Sequence, residues 1–196
     1  MMTPSSSCNL PAAAPAAGSL PAAPDASCCG RHDAFGILHD CHQHILERLT
    51  RLLAVAGDVE SAGSLQERHL AGLGDVLAFL HTAIPIHSAD EEVSLFPRLR
   101  TAVAPVGGHT PMDCMEQEHV QHRAQLSRLE RAIVRRDAQA VARAARAIVT
   151  DYRSHIEREE EVLFPWAREL LAQPVMLAEM TAEMRHRRVE VGLLSC

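Results

Sequence analysis

The stretch His87-Ser-Ala-Asp-Glu91-Glu92-Val-Ser-Leu95-Phe96-Pro97 recurs 68 residues later as His155-Ile-Glu-Arg-Glu159-Glu160-Glu-Val-Leu163-Phe164-Pro165. The histidine, both glutamates, the leucine, the phenylalanine and the proline keep their places. Residues four apart on an α-helix lie one above the other on one face. His87 with Glu91, and His155 with Glu159, therefore each aim an imidazole and a carboxylate at one point. A duplicated amphipathic helix end would account for the Leu-Phe-Pro tails but not for the histidines. Two such pairs facing one another can clasp a polynuclear metal site.

With 196 residues the chain can build one core of ordinary size plus a tail. Hydrophobic residues make up 47% but aromatics only 3%, and alanine is abundant, a balance that suits closely packed helices rather than a β-sandwich. The net charge of −6, with acids and bases intermixed, offers no basic surface to phosphates, so nucleic acid is excluded as an expected partner. The six cysteines show no CxxC pair, which suggests mostly free thiols in a reducing compartment. The Ala/Pro/Ser-rich leader, residues 1–32, lacks a basic start and an unbroken apolar run; it reads as disordered rather than as a signal peptide. No run reaches the ~20 apolar residues of a membrane span, so no membrane association and a cytoplasmic location are expected.

Four segments carry an apolar stripe with strides of three and four. The first, Asp33 to Ala56, runs Phe35, Leu38, His42, Ile45, Leu49, Leu52, Ala56, with Gly57-Asp58 as its stop. The second, Ser64 to Arg100, runs Leu73, Leu77, Leu80, Ile84, His87, Glu91, Ser94. Ser64 and Glu67 there suggest a capping box, and Pro85 a kink just before His87. After a Gly-Gly linker at Val106 to His109, Thr110 as N-cap and Pro111 at the first position open a third helix reaching about Arg136. Its stripe is Met112, Met115, His119, His122, Leu126, Leu129, Ile133. Asp137 caps the fourth, with Ile148, Tyr152, His155, Glu159, Val162, Trp166, Leu170, until Gln173-Pro174. A shorter helix from Val175 to Val189 carries Met176, Met180 and Met184, a stripe that reads as core. The fold expected is all-α: an up-down-up-down four-helix bundle over residues 33–190, a short additional C-terminal helix, and a tail at 191–196.

In such a bundle the four stripes share one interior, so His42, His87, His119 and His155 converge. An uncompensated polar group there costs about 1 to 3 kcal/mol, and buried Glu91 and Glu159 would cost more. No Lys or Arg occupies the stripes near that level, so a metal supplies the missing positive charge. Four imidazoles divisible two and two, with two carboxylates able to bridge, suit two ions better than one, with a single ion or an empty polar core as the alternatives. Structural zinc would favour thiolates, and calcium or magnesium nearly all oxygen. The mixed set favours two iron ions, with manganese possible in their place.

The segments His39-Asp-Cys-His42-Gln-His-Ile45, His87-x3-Glu91-Glu92-x3-Phe96-Pro97, Glu118-His119 and His155-Ile-x2-Glu159-Glu160-x3-Phe164-Pro165 resemble the hemerythrin-like family with its HHE cation-binding motif. Met184-Arg-His-Arg187-Arg188 is similar to the family's usual end. The resemblance implies a four-helix bundle around a non-haem di-iron centre. In it His42, His87, His119 and His155 would be terminal ligands, Glu91 and Glu159 would bridge, and Glu92 and Glu160 would be outer or surface acids. His122, three residues after His119, is a further candidate, although oxygen-carrying members space the two histidines of that helix by four. His39 could replace His42 or hydrogen-bond to it. Cys28-Cys29 faintly resembles the double cysteine of di-iron cluster-repair proteins, and a plain linker is the competing reading.

Three functions fit these residues. One is a protein that binds O₂ or NO, or senses redox or iron state. Another is a di-iron oxidoreductase acting on NO or peroxide, or an iron-sulfur cluster-repair protein. The third is a helical module with adventitious metal. The first is expected, because no separate acid, base or substrate pocket is visible; whether the chain is an enzyme stays open.

Overall fold

The computed structural model describes residues 32–103 and 110–190. The leader up to residue 31 with Cys28 and Cys29, the Gly-Gly linker and the tail at 191–196 lie outside the described residues. The elements are α1 (Ala34–Ala62), α2 (Glu67–Ala89), a π turn π1 (Asp90–Leu95), α3 (Phe96–Ala102), α4 (Pro111–Val134), α5 (Ala138–Arg158), a second π turn π2 (Glu159–Leu163), α6 (Phe164–Leu170) and α7 (Pro174–Glu190). The described residues form no strand, and the fold is an all-helical bundle. α1 packs against α2 and α5, α4 packs against α5, and α7 lies across α1 and π1.

Local chemistry sets most helix ends. Asp33 caps α1 by accepting from the Gly36 N–H at 2.8 Å. Thr110 and Asp113 form a reciprocal capping box ahead of Pro111, and Asp137 accepts from the Ala140 N–H at 2.9 Å. Two expected boundaries move. The first helix does not stop at Gly57-Asp58, because Val59 continues the buried stripe and an isolated glycine costs too little to end it. It closes at Gly63, whose φ of 63° is the left-handed conformation glycine adopts freely. α2 is capped by Gln66 with His69, not by Ser64 with Glu67. Pro85 lies inside α2, which continues through it to Ala89.

The departure from α geometry comes instead at π1 and π2, immediately before the two Phe-Pro steps. A proline has no N–H, and its ring collides with the carbonyl four residues back. The preceding turn widens, so that Phe96 N–H bonds Glu91 C=O and Phe164 N–H bonds Glu159 C=O, both five residues back. The extra residue rotates everything downstream by one position. Beyond Glu159 the buried stripe is therefore Leu163, Ala167, Leu171 in place of the expected Val162, Trp166, Leu170, and Leu170 is 38% exposed.

Two apolar clusters fill the interior. One contains Ile45, Leu49, Leu80, Leu126 and Ile148, the other Phe35, Leu38, Phe96, Met115, Phe164 and Met184. The four seam histidines fall between them along every long helix. Met180 and Met184 are fully buried as the stripe requires, and the basic end of α7 has a structural task. Arg187 Nε donates to Asp90 Oδ1 at 2.8 Å, and Arg188 Nη1 pairs with Asp90 Oδ2. Asp90 is wholly buried; burial pushes its carboxyl pKa up, only partly offset by Arg188 and Arg187.

The continuous helix Glu67–Ala102 corrects one expectation: an 18-residue window reaches a mean hydropathy of 1.3, so by length and composition it could cross a membrane. Its Leu73, Val76, Leu80 and Ile84 belong to the bundle core, and it carries buried His87, Asp90 and Glu91.

Candidate metal centre

All six candidate residues meet in one buried cluster. His42 Nε2 lies 3.1 Å from His87 Nε2, and His119 Nε2 lies 3.2 Å from His155 Nε2, so the imidazoles form two pairs. Each carboxylate reaches across both. Glu159 places Oε2 3.2 Å from His42 Nε2 and Oε1 3.1 Å from His155 Nε2. Glu91 Oε2 stands 3.5 Å from His87 Nε2 and 3.2 Å from His119 Nε2. Two groups of four donors result, His42-His87-Glu91-Glu159 and Glu91-His119-His155-Glu159, sharing both glutamates.

The donor set fits a cation. Glu91 and Glu159 are 0% exposed, and none of their four oxygens has a hydrogen-bond partner of acceptable geometry despite the nearby ring nitrogens. Such orphaned buried acceptors are costly unless something positive sits among them. Three rings have their outer nitrogen on a carboxylate: His42 Nδ1 on Glu160 Oε1 (2.6 Å), His119 Nδ1 on Glu92 Oε1 (2.8 Å) and His155 Nδ1 on Glu118 Oε2 (2.7 Å). A proton on Nδ1 donated outward leaves the Nε2 lone pair facing inward, the tautomer a metal ligand needs.

Left to themselves, the residues compensate with protons. Burial opposes charge on His42 and His155, but Glu159 together with Glu160 or Glu118 outweighs it and raises both to about 9. Burial, with His42 beside it, drives His87 well below the usual imidazole range. Glu91 is pushed well above the carboxylate range by burial and by Glu159. Glu159 stays well below that range: burial works against the charge, but His155 and His42 prevail. A cation neutralises the same donors without needing any of these shifts.

The repeat is used twice, symmetrically. In the first copy His87 and Glu91 enter the cluster, Glu92 holds His119 from behind, and Phe96 stacks on His119 with centroids 6.3 Å apart and planes within 12°. In the second, His155 and Glu159 enter, Glu160 holds His42, and Phe164 stacks on His42 at 5.5 Å and 3°. Glu92 and Glu160 are thus orienting groups and not merely surface acids. Glu118 is the functional residue that sequence reasoning passed over; its only signal was its place next to His119.

The other candidates stand apart. His122 belongs to neither group of four: it stacks on Tyr152 at 3.8 Å and meets His155 edge-on, and burial lowers its pKa to about 2. Replacing His122 by Phe is expected to leave metal content at the wild-type level by elemental analysis; loss of an ion would make His122 a ligand. His39 does not replace His42 but donates to Glu160 Oε1 from a half-exposed position, 3.1 Å away. Cys41 is a free thiol that burial pushes up to about 12, while Cys114 is disulfide-bonded, an exception to the mostly free thiols expected.

Comparison with known proteins agrees with this geometry. A protein of Haemophilus influenzae described as uncharacterized is 29% identical over 161 residues, covering 80% of this chain and 91% of its own length. No solved structure gives a significant match. The family model of the Hemerythrin HHE cation binding domain matches residues 33–167, which hold both repeats and all six clustered residues, and the chain belongs to that hemerythrin family.

Proposed function

We propose that the chain holds two iron ions in a non-haem centre, with manganese the other metal its ligands suit, and that it binds O₂ or NO there or senses redox or iron state. The observation that carries this is the sharing of both buried carboxylates between two imidazole pairs. His42 and His87 would hold one ion, His119 and His155 the other, with Glu91 and Glu159 between them. An iron pair held by these donors would supply the chemistry that binds a diatomic ligand. The protein's own part is to fix the tautomers through Glu92, Glu118 and Glu160, and to shield the rings with Phe96 and Phe164. The reading takes the long helices as running up-down-up-down, supported by short links at residues 63–66 and 135–137.

Protein produced with iron available is expected to carry about two irons per chain and to develop a stable visible band when the reduced form meets O₂. The His87→Ala, His155→Ala double variant is expected to lose both. Equal iron in the two proteins would end the di-iron reading, and fast bleaching with continued consumption of NO or peroxide would replace binding by turnover.

A further inference from the structure

The two halves of the cluster are related by an approximate twofold correspondence that pairs α1 with α4 and α2 with α5. His42 corresponds to His119, His87 to His155, Glu91 to Glu159 and Glu92 to Glu160. The correspondence extends to the groups behind the rings, since Glu160 serves His42 as Glu92 serves His119. Among the carboxylates behind the rings it fails at one place. Glu118, immediately before His119, accepts from His155 Nδ1 at 2.7 Å. The residue immediately before His42 is Cys41, a weak acceptor at best, and His87 Nδ1 is buried without a hydrogen-bond partner.

The surroundings differ to match. Three residues after His155 stands Arg158, which pairs with Glu118. Three residues after His87 stands Asp90, whose charge is taken up by Arg187 and Arg188 from α7. One imidazole pair therefore has a carboxylate behind both rings, and the other behind one ring only. A carboxylate on the outer nitrogen fixes the ring and raises its basicity, and removing one weakens metal binding by about 10- to 100-fold.

We propose that the two metal positions are inequivalent, the His119/His155 position holding its ion more tightly than the His42/His87 position, and that residue 41 sets the difference. This rests on the two-metal reading above. In function it means one resident ion and one that exchanges with the supply of iron, the property a sensor of iron availability requires.

Two ions a few ångströms apart repel each other, so a two-phase titration of the wild type would not separate intrinsic inequivalence from repulsion. The test isolates the positions. Anaerobic calorimetric titration with Fe(II) alone is made on the His42→Ala, His87→Ala variant and on the His119→Ala, His155→Ala variant, each keeping one imidazole pair, with circular dichroism confirming the fold. The first is expected to bind its ion about tenfold or more tightly than the second. Adding Glu118→Cys to the first should remove that advantage. Adding Cys41→Glu to the second should restore it, since Arg188 beside Cys41 is placed to receive the new carboxylate as Arg158 receives Glu118.

Equal affinities overturn the inequivalence and the reverse order overturns its assignment, either leaving two metals intact. A tighter first position that ignores Glu118→Cys and Cys41→Glu overturns the role of residue 41. Wild-type protein that binds fewer than two Fe(II) ions overturns the two-metal reading itself. Should Cys41→Glu fail to fold, Glu118→Cys, which adds no bulk and takes the carboxylate from behind His155, decides the matter.

Discussion

Chelating the metal is expected to lower the thermal unfolding midpoint of the wild-type chain by roughly 8–16 °C. A ligand that binds only the folded state stabilises it by about 4 kcal/mol when its free concentration is a thousandfold above Kd. In a domain of this size each kcal/mol moves the midpoint by roughly 2–4 °C. The large effect arises because the cation and the interior need one another: Glu91 and Glu159 are wholly buried with no hydrogen-bond partner on any oxygen. The Glu91→Gln, Glu159→Gln variant keeps the shape and removes both charges. Its midpoint is expected to ignore iron and chelator alike, since the amides offer no charge for a cation to neutralise. A wild-type midpoint that chelation leaves in place would show that the carboxylates need no cation.

Removing both arginines of the α7 brace, by Arg187→Ala with Arg188→Ala, is expected to cost about 3–5 kcal/mol, because it strands Asp90 as an unpaired buried charge. Asp90 is 0% exposed and sits in the turn that carries Glu91, so Fe(II) affinity should fall as well. Arg98→Ala breaks a pair that ties the neighbouring α3 to α7, but its partner Glu183 is 40% exposed, and the loss there should stay within about 1 kcal/mol. Urea titration distinguishes these outcomes, and equal losses would show that Asp90 is not the seat of the effect. The pH dependence has a definite sign. Burial already raises Asp90 above the usual carboxylate value, and without the arginines it rises further. The penalty is then absent below the unfolded value near ~4, grows as pH rises from there to the folded value, and is complete above it.

Where periodicity was unbroken, residue spacing alone located the interior. The α1 stripe from Phe35 to Ala56 is buried at every expected position, because an unperturbed α-helix repeats its geometry and the next turn follows from the last. Thr110, Pro111 and Asp137 were readable for a similar reason: capping is completed within three residues. Spacing failed after Glu159, where one inserted residue turned Leu163 inward in place of Val162. Phe164-Pro165 was the available signal. The widened turn could not be anticipated from helical strides, since a helix can answer a proline by kinking, stopping or widening, and packing selects among these.

The candidate site divides the same way. That six nitrogen and oxygen donors face one interior is a property of the chain: two His-x-x-x-Glu turns and two seam histidines share a face at the period of the helix. Which histidine stands opposite which, that Glu118 backs His155 while His87 Nδ1 has no such support, and that α7 reaches over to neutralise Asp90 depend on contacts between residues 36 to 98 positions apart. Local geometry propagates along a backbone and can be counted off residue by residue. Contacts between helices depend on how those helices pack together, and that arrangement exists only once the whole interior has closed.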